Sequence, residues 1–152
     1  FTISNILPGN ANKNLIAQDA SGRQNKNIKK IMVIASIGMA ILGSTVAPII
    51  LSLIFPKFTE AEEIIRIISW AAIPMTIQAT YYMPKLWAEE KNLLILYHTI
   101  VVVTVQIIAI ILFGTLYGAI GLAIAFVTTS IIGCIFIVII DKIDRRKPSL
   151  KK

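Results

Sequence analysis

From Asn92 to Ile140 the chain runs for 49 residues without an Asp, Glu, Lys or Arg. As one helix this stretch would be roughly 74 Å long at 1.5 Å per residue, more than twice the ~30 Å hydrocarbon core of a bilayer, so the pattern predicts two crossings. The reversal is expected at Phe113-Gly114-Thr115-Leu116-Tyr117-Gly118, where two glycines and two aromatic residues suit a tight turn at headgroup level. Upstream, Ile31 to Pro56 and Ile67 to Pro84 are also free of charge. In lipid every backbone N–H and C=O must be paired within the protein, which leaves helices or a closed barrel; unbroken apolar runs, without alternation, select helices. The expected fold is all-α: a polytopic transmembrane helical bundle with four spans, at about 31–55, 63–83, 93–113 and 117–140.

Polar and small residues inside these runs give each span a character. In the first, Pro48 removes a backbone donor and predicts a kink. Ser44, Pro48 and Ser52 recur every fourth residue, so the kink lies on a slightly polar stripe. The second is preceded by Thr59 and Glu62 in capping-box spacing. It carries a further kink residue, Pro74, with Gln78 and Tyr81 or Tyr82 following on the same side. The third holds His98 and Gln106, roughly 80° apart around the helix axis. In the fourth, Gly121, Ala125, Thr129 and Gly133 form a seam of small residues at which another helix can approach closely.

A hydrophobic fraction of 56% and a mean hydropathy of +0.77 exceed what a soluble domain of this size needs, and they point to a membrane protein. The net charge of +7 reads as topology, because no nucleic-acid motif accompanies it and the basic residues cluster at the chain ends. Placing both ends and the loop with Lys85 and Lys91 in the cytoplasm puts 13 of the 15 Lys and Arg inside, in keeping with the positive-inside bias. Residues 1–30 read as the end of a preceding helix and a cytoplasmic connector, and 141–152 as a basic cytoplasmic tail. A chain that opens at Phe1 in this way is expected to belong to a longer protein. The single cysteine, Cys134, reads as a small packed side chain, with no disulfide or metal cluster to support.

Three stretches carry a resemblance to a known superfamily. They are the polar connector from Leu7-Pro8 to Lys30 leading into a proline-bearing span; Ile49 to Phe58 followed by Glu63 to Trp70; and Leu112-Phe113-Gly114-Thr115-Leu116-Tyr117-Gly118-Ala119-Ile120-Gly121-Leu122-Ala123-Ile124-Ala125. Together they resemble the C-terminal part of the multidrug, oligosaccharidyl-lipid and polysaccharide exporter superfamily, most closely the polysaccharide biosynthesis proteins that flip lipid-linked oligosaccharides. Phe55-Pro56 departs from the Phe-Gly usual at that loop. The resemblance implies a larger transporter of two helical bundles around a central cavity, with this chain as most of the second bundle and the preceding bundle as its partner.

Function is then expected to be translocation of lipid-linked oligosaccharide or polysaccharide precursors across the cytoplasmic (inner) membrane. The alternatives are a drug or cation exporter of the same superfamily and a non-transporting membrane scaffold. The substrate-cavity candidates are Gln78, Tyr81, Tyr82, Gln106 and His98, each weighed against a simpler role as an interhelical tie or interface residue. Lys85 and Arg66 are candidates for the cavity mouth. No nucleophile and base, phosphate loop or metal-ligand spacing lies within membrane reach, so neither catalysis nor a cofactor or metal is expected. The partners expected are membrane lipids and the lipid-linked glycan, with no nucleic acid.

Overall fold

A computed structural model describes residues 26–54 and 59–146. Most of the expected connector, the loop at 55–58 and the end of the basic tail lie outside the described residues, which contain helices and turns and no strand.

Helix α1 (Lys26–Ile54) is continuous over 29 residues. Ser36, Ala40, Ser44 and Pro48 form its buried stripe, at the four-residue spacing that keeps side chains on one face. The Ser36 and Ser44 hydroxyls donate to the carbonyls of Val33 (2.8 Å) and Ile41 (3.0 Å), so the stripe stays small and internally satisfied. The opposite face presents Ile34, Met39, Leu42, Ile49 and Leu53 outward. Pro48 sits inside the helix at the buried stripe.

The chain then passes end to end through α2 (Thr59–Ile68), a 3-10 turn (Ser69–Ala71), α3 (Ala72–Ile77), a π turn (Gln78–Tyr82) and α4 (Met83–Ala88). Two prolines account for the changes of winding. Pro74 has no N–H to give the carbonyl four residues back, that of Trp70 in the 3-10 turn, and its ring crowds that oxygen. Pro84 does the same to Thr80 in the π turn, and the Met83 N–H instead reaches back five residues to Gln78. A short turn, Glu89-Glu90-Lys91, with Glu90 in a left-handed conformation (φ 53°), leads into α5 (Asn92–Arg146).

Helix α5 is 55 residues long and breaks once, at Gly118, whose φ of 58° and ψ of −133° suit a residue without Cβ. The break folds α5 back on itself, bringing His98 to Gly133 and Lys91 to Asp144. Beyond it the arms are pressed together: a Cβ on Gly121 would overlap the backbone carbonyl of Phe113. The 59–88 line packs between α1 and α5, which have little direct contact with each other.

The four-span bundle is corrected by this arrangement. Among the described residues two helices are long and apolar enough to cross a membrane, Lys26–Ile54 and Asn92–Asp144. The stretch expected as a span at 63–83 is wound as a 3-10 turn and a π turn between short α-helical pieces, so no single α-helix there is long and apolar enough to cross, and its first piece is amphipathic, carrying Glu62, Glu63 and Arg66. The stretches expected as spans at 93–113 and 117–140 are the two arms of α5, joined at Gly118 without an intervening loop.

Candidate functional site

The π turn faces a partly open cavity of about 240 Å³ between the 59–88 line and both arms of α5. Its polar members are Gln78, Gln106, Thr129 and Ser130; Met75, Met83, Val102 and Phe126 supply apolar wall. Met75, Gln78, Ala79 and Met83 reach the same cavity from one helix line, at spacings of three and four residues that keep them on one face. π turns inside α-helices recur at functional sites.

Hydrogen bonding divides the four polar side chains into two kinds. Gln78 Nε2 donates to the Ser130 carbonyl at 3.0 Å, tying the π turn to the second arm of α5. Ser130 Oγ donates to the Phe126 carbonyl at 2.8 Å. Thr129, by contrast, is only 2% exposed, and its Oγ1 has no partner among the described residues. Gln106 likewise makes no hydrogen bond with them. Thr80 Oγ1 is also buried and unpartnered, but it does not line the cavity.

Of the substrate-cavity candidates singled out from sequence, Gln78 and Gln106 meet in this cavity and His98, Tyr81 and Tyr82 do not. His98 is buried between the arms of α5, with Nε2 3.1 Å from the Gly133 carbonyl and its ring stacked on Phe136 at 6.3 Å. With the proton on Nε2, it closes the hairpin. Tyr81 is exposed, with the Lys29 ammonium 5.8 Å from its ring centre, and Tyr82 is half-buried outside the cavity. The seam residues Gly121, Ala125, Thr129 and Gly133 are all buried. Gly133 admits Val102 so closely that an added Cβ would sit 3.0 Å from its Cγ2. Thr129 is therefore both a seam residue and a cavity residue; its hydroxyl, set among glycine and alanine, was the available signal. Ser130 and the two methionines carried none.

Where the second arm of α5 ends, charge replaces packing. Lys85 pairs with Asp141, and Lys91 pairs with Asp144 and, at 2.5 Å, with Glu89. Glu89 also lies 3.9 Å from Lys85. Side-chain exposures of 17% for Lys85 and 6% for Asp141 make theirs a buried pair, the kind that is costly to break on one side only. Bonding to Asp144 and then to Glu89 holds the Lys91 ammonium above its ordinary pKa of 10.5. Lys85, expected at the cavity mouth, is thus committed to Asp141, and Arg66 is exposed on α2. Among the described residues no group of three or more His, Cys, Asp or Glu could hold a metal ion.

Set against protein-family models, curated proteins and solved structures, the chain matches none.

Proposed function

We propose that this chain is a segment of a membrane transporter that passes the polar head of a lipid-linked glycan precursor across the cytoplasmic membrane. The observation that carries the reading is the cavity itself: two glutamines gathered at a π turn, in a chain whose two long helices are apolar enough to span. Polar groups at such depth are expensive unless they are used or paired. Gln78 is paired with the Ser130 carbonyl, whereas Gln106 has no partner among the described residues and stands at the cavity wall. In this reading both ends of the segment face the cytoplasm, where the basic residues at 26–30 and 142–147 meet anionic headgroups. The lipid tail stays in the bilayer, and further helices of the same protein complete the path.

The test is made in cells that depend on the full-length protein. The Gln106→Leu variant, present in the membrane at the parental level, should leave lipid-linked precursor on the inner leaflet and reduce surface glycan. Unchanged glycan export with loss of cation or drug resistance would replace this reading with an exporter of small solutes. Unchanged solute traffic of every kind would make the chain a scaffold.

A further inference from the structure

Helix α4 is a six-residue piece set between two irregular turns, the π turn before it and Glu89-Glu90-Lys91, with its left-handed Glu90, after it. Both turns are fastened to α5: Gln78 to the Ser130 carbonyl and Lys91 to Asp144. Between these fastenings, the ion pair that joins α4 itself to the second arm of α5 is Lys85 with Asp141. Short segments whose ends can absorb backbone rotation are the parts of a fold that swing as units. The pairs drawn from Lys85, Glu89, Lys91, Asp141 and Asp144 all gather here, whereas Glu62, Glu63 and Arg66 at the other end of the line enter none with described residues.

The position of α4 sets what it covers. Met83, its first residue, is on the cavity wall, and Pro84 and Leu86 beyond it are among the most completely buried side chains of the described residues. On the second arm of α5, the buried seam at Gly121, Ala125, Thr129 and Gly133 continues in the same four-residue register to Ile137 and Asp141. Small residues thus give way to a bulky one, fully buried, and then to a carboxylate. Along that arm Ile137 lies between the cavity residue Ser130 and the paired Asp141, so an apolar stopper follows the cavity and the ion pair follows the stopper.

Lys85 has a second partner within reach. Glu89, one helical turn along the same piece, lies 3.9 Å from its ammonium and would travel with it. A buried ion pair is closely balanced against its separated, hydrated partners, and it is costly to break only where one charge is left buried alone. Here neither is: Lys85 can turn to Glu89, and Asp141 lies near the aqueous end of α5. We infer that α4 is a gate over one end of the cavity, closed while Lys85 pairs with Asp141 and open when Lys85 turns to Glu89 and α4 swings off the second arm of α5. The inference takes its cytoplasmic side from the orientation proposed above and does not depend on what passes through.

The test reads labelling rather than transport. In the full-length protein with Cys134→Ser, a charged thiol reagent is applied to Gln106→Cys on the cavity wall, from the cytoplasmic face in inside-out vesicles and from the outer face in intact cells. Adding Asp141→Asn, which removes the latch, should speed cytoplasmic labelling by about tenfold and leave the outer rate unchanged. Glu89→Gln, which removes the open-state partner, should slow it by about threefold. Lys85→Met with Asp141→Leu should also slow it, because opening then hydrates no charge. Acceleration from the outer face alone in Asp141→Asn would keep the gate and overturn the proposed orientation. An unchanged rate at both faces, or equal acceleration at both faces or at the lipid-facing Ile107→Cys, would overturn the gate. Where Asp141→Asn does not accumulate, Glu89→Gln and the apolar pair decide: labelling as fast as the parent's in both would overturn it equally.

Discussion

Between Asn92 and Ile140, α5 carries no charged residue and departs from helical winding once, at Gly118. The neighbouring line from Thr59 to Ala88 carries Glu62, Glu63, Arg66 and Lys85, and it passes through a 3-10 turn and a π turn on the way. In α5 the irregularity is a glycine that reverses the chain, and the arms close by contact between backbone and small side chains at Gly121 and Gly133. In the 59–88 line the irregularities arise at prolines, which displace carbonyls without reversing the chain and re-aim the side chains that follow. The first kind of break makes a hairpin. The second makes a cavity wall. The two kinds of break meet at the cavity, to which the proline-interrupted line brings Gln78 and the arms of α5 bring Gln106, Thr129 and Ser130.

Substitutions that attack each kind of break should differ in size. Gly121→Val drives a branched side chain into the Phe113 carbonyl and should destabilise the fold by about 3 kcal/mol or prevent its accumulation, read from thermal unfolding in detergent and from expression. Cost-free acceptance of valine there would mean that the arms of α5 do not touch. Next in size, Asp141→Ala leaves the Lys85 ammonium buried beside the more distant Glu89 and should cost about 2 kcal/mol, short of the full penalty for a buried pair broken on one side. Replacing both partners, Lys85→Met with Asp141→Leu, should restore most of that loss; equal damage in the single and double variants would show that the pair does not join the line to the hairpin.

The smallest effect concerns the turn that connects them. Asp144 and Glu89 raise the pKa of Lys91 above 10.5, so the charged lysine stabilises the folded form fully at pH values below 10.5. That contribution fades as the pH rises through the higher folded-state value. Melting temperature followed from neutral to strongly alkaline pH should fall slightly more steeply for the parent than for Lys91→Met. The difference is small because Lys91 remains partly in water. Superimposable curves would show that the pairing of Lys91 with Asp144 and Glu89 adds no stability.

Much of the helical content and the Phe113–Gly118 reversal could be read from hydrophobic runs and glycine spacing, because both are local properties of the chain. The number of spanning helices could not. A charge-free run such as 67–84 looks like a span when hydropathy alone is weighed, whereas the effect of Pro74 and Pro84 on winding depends on carbonyls four residues back and on the neighbours that accept them. The same holds for the site. Gln78 and Gln106 stand out because amides are rare in such runs, and they do share a cavity. His98 stands out equally and is spent on the Gly133 carbonyl, a contact across 35 residues that no local pattern announces. Asp141 lies just past the charge-free run, where the sequence suggests a tail; its burial follows from Lys85, 56 positions earlier.

Cysteine accessibility in intact membranes measures the central claim most directly, that lipid surrounds these helices while a water-accessible polar cavity lies among them. With Cys134, the sole native cysteine, replaced by serine, Gln106→Cys places a thiol on the cavity wall and Ile107→Cys places one on the exposed apolar face of the next position. A small, charged, water-soluble thiol reagent should label the first readily and leave the second untouched. Equal labelling of both positions, or labelling of Ile107→Cys alone, would contradict the account.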